Sequence, residues 1–207
     1  RQLSLPQSNN LILDDGWHNL RNDITGSVGF EFKVKSDQIV SHLGMWDDHD
    51  REIPVRDARG IPTEFGSDQP SRVGTKPRSI NGEHWIKLLE RENLSFHEIA
   101  AVKITPRNQG QLEGEFRYLL VKKPVNLYSN SQYMLTMTTR AGDKDYFHDH
   151  VAFDGLPPLV NPIVDVIKCV MLKENYPKQI FSIPSFSDLH SDYSRFRIPV
   201  GPTLQFQ

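Results

Sequence analysis

The stretch best suited to metal chemistry is "DKDYFHDH", residues 143–150. In an extended strand His148 and His150 would project to the same side, because alternate side chains share a face. Two imidazoles at that spacing can share a transition metal when a third ligand comes from another strand. Asp143 and Asp145 offer instead the hard oxygen ligands that Ca²⁺ prefers. The alternative interpretation is a solvated loop between strands, since Asp is common in turns.

A second acidic stretch, "LGMWDDHDRE", covers residues 43–52. Asp47, Asp48 or Asp50 would complete a cation site with Asp143 or His148 if the two stretches lie together. If they lie apart, this is a solvated loop, which the sequence favours. Carboxylates adjacent in one loop do not form the opposed pair that glycoside hydrolysis requires.

A third acidic stretch, "DDGWHNLRND", covers residues 14–23. Asp14, Asp15 and Asp23 could close a calcium site with loop carbonyls. Turn-forming Asp is commoner than metal-binding Asp, so the structural interpretation is favoured.

Aromatic residues beside polar loops are the candidates for sugar binding, which uses ring platforms next to hydrogen-bonding groups. The residues in this setting are Trp17, Trp46, Tyr146 and Phe147. Each is equally typical of the core at the end of a sandwich.

Complete enzyme motifs are absent from the sequence. It contains no G-x-S-x-G elbow, phosphate loop, C-x-x-C pair or dinucleotide fingerprint. The remaining enzymatic alternative is a metal-dependent hydrolase that uses His148, His150 and a carboxylate.

Alternation of apolar and polar residues is the dominant pattern along the chain and predicts strands. It is clearest in "SVGFEFKVK", residues 27–35, where the apolar positions recur at every second residue. Further strands are predicted in "QIVSHLGMW", "EIPVRDARG", "IAAVKITP", "LEGEFRYLLV", "QYMLTMTT", "PIVDVIKCVMLKEN" and "SRFRIPVGPTLQFQ". "PVNLYSNSQY", residues 124–133, is interpreted as a turn-bearing connector.

One helix is predicted, in "NGEHWIKLLEREN", residues 81–93, from the spacing of Trp85, Leu88 and Leu89 and a capping Asn81. Trp85 would then fix this helix to the sheet. We therefore predict one all-β domain over residues 1–207. It would be a jelly-roll-like β-sandwich with a helix-bearing insertion around residues 61–98.

The charge balance bears on the partners that the chain could bind. It has 24 basic and 26 acidic residues, a net charge of -2, whereas a nucleic-acid-binding protein carries a basic excess. No apolar run reaches the roughly 18 residues of a membrane span.

The single cysteine, Cys169, lies in an apolar stretch, which predicts a buried and inert thiol.

Several phrases in order resemble a known module. They are "GWHNLRNDITGSVGFEFKV", "VSHLGMW", "IPVRDARG", "GEFRYLLVKKPVNLYSNSQYML", "AGDKDY" and "VGPTLQF". Together they resemble an accessory β-sandwich domain of secreted bacterial proteins, often attached to glycoside hydrolases and other extracellular enzymes. The likeness extends over most of residues 16–206 without 61–98, and lies mainly in core and turn positions.

The resemblance implies a secreted, non-catalytic binding module that attaches to carbohydrate or to a surface through loops at one end of the sandwich. No signal peptide is visible in the chain. Two alternatives stay open: a structural or protein-interaction module that uses the 61–98 insertion, and the metal-dependent hydrolase. Ca²⁺ is the cofactor that the acidic loops would take.

Overall fold

Strands make up the regular structure of the computed structural model, which describes residues 9–12, 19–21, 24–47, 80–142, 145, 147–152, 160–173, 181–182 and 196–207. In chain order the strands are β1 (Asn19–Arg21), β2 (Gly26–Val34), β3 (Gln38–Trp46), β4 (His84–Glu92), β5 (Ser95–Ile104), β6 (Gln111–Glu113), β7 (Phe116–Leu127), β8 (Tyr133–Thr139), β9 (Phe147–Ala152), β10 (Val164–Lys173), β11 (Phe181–Ser182), β12 (Phe196–Val200) and β13 (Pro202–Phe206). The described part of the chain contains no helix, and therefore none long and apolar enough to cross a membrane.

The strands pair antiparallel in sheets. The largest has six strands in the order β11-β10-β2-β8-β4-β5, and a second has four in the order β13-β3-β7-β6. A small three-stranded sheet has the order β1-β9-β12. The predicted all-β class is thus confirmed, in a sandwich-like arrangement, whereas the jelly-roll connectivity stays a prediction.

Alternation places one apolar face of each main sheet in a shared core. On β2, Val28, Phe30 and Phe32 are fully buried, as are Leu43 and Met45 on β3. These residues belong to one apolar cluster, which also contains Cys169, so the predicted burial of this thiol is confirmed. Burial of this apolar surface is the main favourable term in folding.

The predicted helix at residues 81–93 is wrong. His84–Glu92 form β4, which lies between β8 and β5 in the six-stranded sheet. His84, Ile86 and Leu88 are buried and alternate with the more exposed Trp85 and Lys87, which is the period of a strand. The residues after β4 turn back at once into β5, so residues 84–92 and 95–98 of the predicted insertion belong to the sheet.

Two further predictions need comment. The connector predicted at residues 124–133 begins too early, because β7 continues to Leu127 and the turn follows, where the amide of Ser131 donates to the carbonyl of Tyr128. The strand predicted in "EIPVRDARG" and residues 61–79 of the predicted insertion lie outside the described residues.

Candidate functional site

A polar depression lies where β8 ends and β4 begins. Its volume is about 660 Å³, and its wall is formed by residues 82–84 and 138–142. The two segments are adjacent because β4 pairs with β8, with Ile86 opposite Met137. At this end of the β4–β8 pairing, the backbone amide of Trp85 donates to a side-chain oxygen, Oγ1 of Thr138, at 2.8 Å.

The carboxylate of Asp145 holds the segment before β4 in place. It accepts hydrogen bonds from the backbone amide of Asn81, at 2.8 Å to Oδ1, and from the amide of Gly82. The side-chain amide of Asn81 donates to Oδ1 at 3.1 Å. A buried carboxylate that accepts several N–H groups makes strong, charge-assisted bonds. Asp145, two residues before β9, therefore ties this part of the chain to the entry of β4.

The ring of His84 is buried beneath the depression and is held at both nitrogens. Nε2 lies 2.8 Å from Oδ2 of Asp145, and Nδ1 lies 2.8 Å from the carbonyl oxygen of Thr138. Both partners are acceptors, so the doubly protonated ring satisfies both at once. The ring then has neither a lone pair nor a spare proton for a ligand. This geometry suits a buried ion pair that positions the site, not a general acid or base.

The ionisation of Asp145 follows from two opposed effects. Burial acts to raise the pKa of its carboxyl group, because it removes water from the charged form. Hydrogen bonds from His84 and from the amides of Asn81 and Gly82 outweigh burial and hold the pKa below its ordinary value. Asp145 is therefore a carboxylate at neutral pH.

Trp85 follows His84 directly on β4 without lining the depression, and the residue is 42% exposed. The ammonium groups of Lys87 and Lys103 each lie 5.9 Å from the ring centroid, within the range of a cation–π contact. Lys87 also pairs with Glu98 at 3.1 Å, and Lys103 with Glu83 at 2.6 Å. Two paired strands thus present an exposed tryptophan with two ammonium groups held over its ring.

The far rim of the depression is the turn at residues 140–142. Gly142 has φ +79°, a backbone conformation that residues other than Gly rarely adopt. The amide of Ala141 donates to Oγ1 of Thr25 at 3.0 Å, which fixes the turn to the start of β2. Arg140 is exposed here and makes no salt bridge with a described carboxylate. Among the described residues of this rim, Arg140 is thus a cationic group that lines the same depression as Glu83.

Two of the aromatic candidates from the sequence lie in the core. Trp46 and Phe147 are each 1% exposed. Both lie next to Gly201, whose carbonyl accepts the Trp46 amide at 2.8 Å. A Cβ added at Gly201 would lie 3.2 Å from that of Phe147. For these two residues, burial supports the core alternative.

Each acidic candidate among the described residues forms an ion pair with a side chain of the same chain. Asp47 is fully buried and pairs with Nε of Arg117 at 2.8 Å, next to the start of β7. Asp145 pairs with His84. Among the described residues, no group of three or more His, Cys, Asp or Glu side chains is placed to hold a metal ion.

The structure describes only the backbone of two of the remaining candidates and none of the others. His148 and His150 lie on β9, as the extended interpretation assumed, but their side chains lie outside the described part. The same holds for all of the following residues, whose predicted roles stay predictions: Trp17, Tyr146, Asp143, Asp48, Asp14, Asp15 and Asp23.

The sequence interpretation missed the depression and the exposure of Trp85. The signal was present in "EHWIKL", where polar and apolar residues alternate, with His84 and Ile86 facing one way and Glu83 and Trp85 the other. No residue type marks His84 as the partner of Asp145, because 61 positions separate them. No model of a known protein family matches the chain, and no curated protein matches it.

Proposed function

We propose that this protein is a non-catalytic binding module, secreted or held at a cell surface, that attaches to carbohydrate. The observation that carries the proposal is the exposure of Trp85, the residue that follows the wall of a polar depression along β4. Sugars bind by stacking their C–H face on an aromatic ring and by hydrogen bonds to charged and polar side chains. Trp85 would supply the ring, and Glu83 and Arg140, which line the depression, would supply polar groups.

Rigidity supports the same proposal. Trp85 lies on β4, a strand paired on both sides, and sites on regular elements are held more precisely than sites on loops. The buried pair of His84 and Asp145 fixes the entry of β4 directly beneath the depression. A ligand would therefore meet a preformed surface and lose little affinity to ordering of the protein. The site lies at one end of the jelly-roll-like sandwich that we infer for the chain.

The test is affinity electrophoresis of the protein through gels that contain a β-glucan, xylan, mannan or pectin. We expect retardation by at least one polysaccharide, and its loss in the Trp85→Ala variant, because stacking on the ring is removed. Leu94→Ala is the matched control. Leu94 is 95% exposed at the turn after β4, so its truncation leaves the depression intact.

Equal retardation of the wild type and Trp85→Ala would contradict the proposal. Circular dichroism and thermal melting of each variant separate loss of binding from loss of fold. The metal-dependent hydrolase stays an alternative that rests on His148 and His150. It predicts a stoichiometric metal in purified protein, which the variants His148→Ala and His150→Ala would lose.

A further inference from the structure

A second groove lies on the seam between the two larger sheets, formed by β5 and β7. Its volume is about 490 Å³. Its floor is apolar and partly buried, and includes Ile99, Ala100, Ala101 and Val125. It is lined by none of the residues that line the depression beside Trp85.

One side of this groove is a strand edge. β5 is the last strand of the six-stranded sheet and pairs with β4 alone among the described strands. Such an edge presents backbone N–H and C=O groups that can pair with an added strand. Proteins commonly block an edge with a charged side chain, a proline or a β-bulge. Residues 99–101 contain no charged residue and no proline, and Ile99 is the extra residue where the register of β5 shifts against β4.

The other side is an irregular segment of β7. Leu120 pairs with His42 and Val125 with Val40, so residues 121–124 lie opposite Ser41 alone and leave the regular ladder. Pro124 has no N–H and cannot continue a ladder there. This side therefore acts as a wall, and β5 is the edge that remains able to pair.

The charged residues that line the groove are both basic. Lys122 and Lys123 are exposed on the wall, and the lining contains no Asp or Glu. Neither lysine forms a salt bridge with a described carboxylate, whereas Lys87 and Lys103 on the sheet each do. The exposed ring of Tyr128 lies at the same wall. Charge complementarity therefore favours an acidic occupant.

We propose that this groove binds an extended, acidic peptide segment of a partner protein, which adds as a strand to the edge of β5. Backbone hydrogen bonds to residues 99–101 would supply affinity. Acidic side chains would face Lys122 and Lys123, and apolar ones would cover the floor. This site is separate from the carbohydrate site, so either proposal can fail without the other.

The experiment measures fluorescence anisotropy of a labelled synthetic peptide of alternating Glu and Thr at low salt. Two matched probes accompany it: the same peptide with prolines at its centre, which cannot pair as a strand, and a peptide of alternating Lys and Thr. We expect the wild type to bind the first peptide and neither of the others.

The deciding variant is the double charge reversal Lys122→Glu with Lys123→Glu. We expect it to bind the acidic peptide about tenfold more weakly, because two attractions become repulsions. The control Lys33→Glu with Lys35→Glu carries the same net charge on β2 and just beyond it, and should bind like the wild type. Thermal melting confirms that each variant is folded.

Four results would overturn the proposal. The first three are no binding of the acidic peptide by the wild type, equal binding by the charge-reversed variant, and equal binding of the proline-interrupted peptide. Displacement of the peptide by the polysaccharide polygalacturonate in the Trp85→Ala variant would mark a general anion site instead, and would also overturn it. Unchanged binding of the acidic peptide in that variant supports two separate sites.

Discussion

Asp145 is the residue that joins the two sides of the candidate site. Its carboxylate receives hydrogen bonds from Asn81, Gly82 and His84, three residues at the entry of β4. The sequence singled out Asp145 as a metal ligand, whereas the structure gives it an imidazole partner and backbone donors. A carboxylate has several lone pairs, so it can either bind a metal or accept hydrogen bonds. Residue type alone therefore did not separate the two roles.

The first prediction concerns the acid stability that Asp145 supplies. Because its pKa is lowered in the folded state, its contribution is complete above the unfolded value, about 3.9, and is lost as the pH falls through the folded value. Asp145→Asn removes the charge but keeps the shape. We expect it to reduce the free energy of unfolding at pH 7 by about 2 kcal/mol, through loss of charged, buried hydrogen bonds.

Urea denaturation at several pH values measures this effect. The difference between the wild type and Asp145→Asn should shrink below about pH 4, where the wild-type carboxylate protonates. Asp165→Asn is the control, because the pair of Asp165 with Lys35 is exposed and should contribute little. A stability difference that stays constant down to pH 2 would argue against the proposed ionisation of Asp145.

At the scale of elements, β2 and β3 were predictable because strict alternation reflects burial of one face. β4 was not, because Trp85, Leu88 and Leu89 also fit helical spacing. The register of β4 shifts against β5 between Leu88 and Leu89, which disturbs the simple period. The depression was less predictable still, since it depends on contacts between β4 and a turn after β8 that lie far apart in the sequence.

The hairpin of β4 and β5 supplies the second prediction. Asn93, at its turn, has φ +56°, the left-handed region that Gly and Asn tolerate best. We expect Asn93→Ala to reduce the free energy of unfolding by about 1 kcal/mol, since Ala is strained at positive φ. Asn93→Gly should be close to neutral. Thermal or urea denaturation measures both, and equal effects of Ala and Gly would show that φ does not govern this turn.

At the scale of the whole molecule, the two larger sheets share one apolar cluster that contains Cys169. This cluster predicts that the thiol becomes reactive when the core opens. We expect a thiol reagent to label native protein slowly, and labelling to accelerate at the same urea concentration as the change in far-UV circular dichroism. Rapid labelling before that transition would show that β10 opens separately from the rest of the core.

The central claim is that the exposed Trp85, and not Trp46 in the core, forms the binding surface. The chain contains three tryptophans, so a ¹⁵N–¹H spectrum should show three indole N–H signals, assigned with Trp85→Phe. The measurement is a titration with an oligosaccharide of the polysaccharide that retards the protein. We predict that the Trp85 signal shifts progressively while that of Trp46 stays in place. A shift confined to Trp17 or Trp46 would contradict the account.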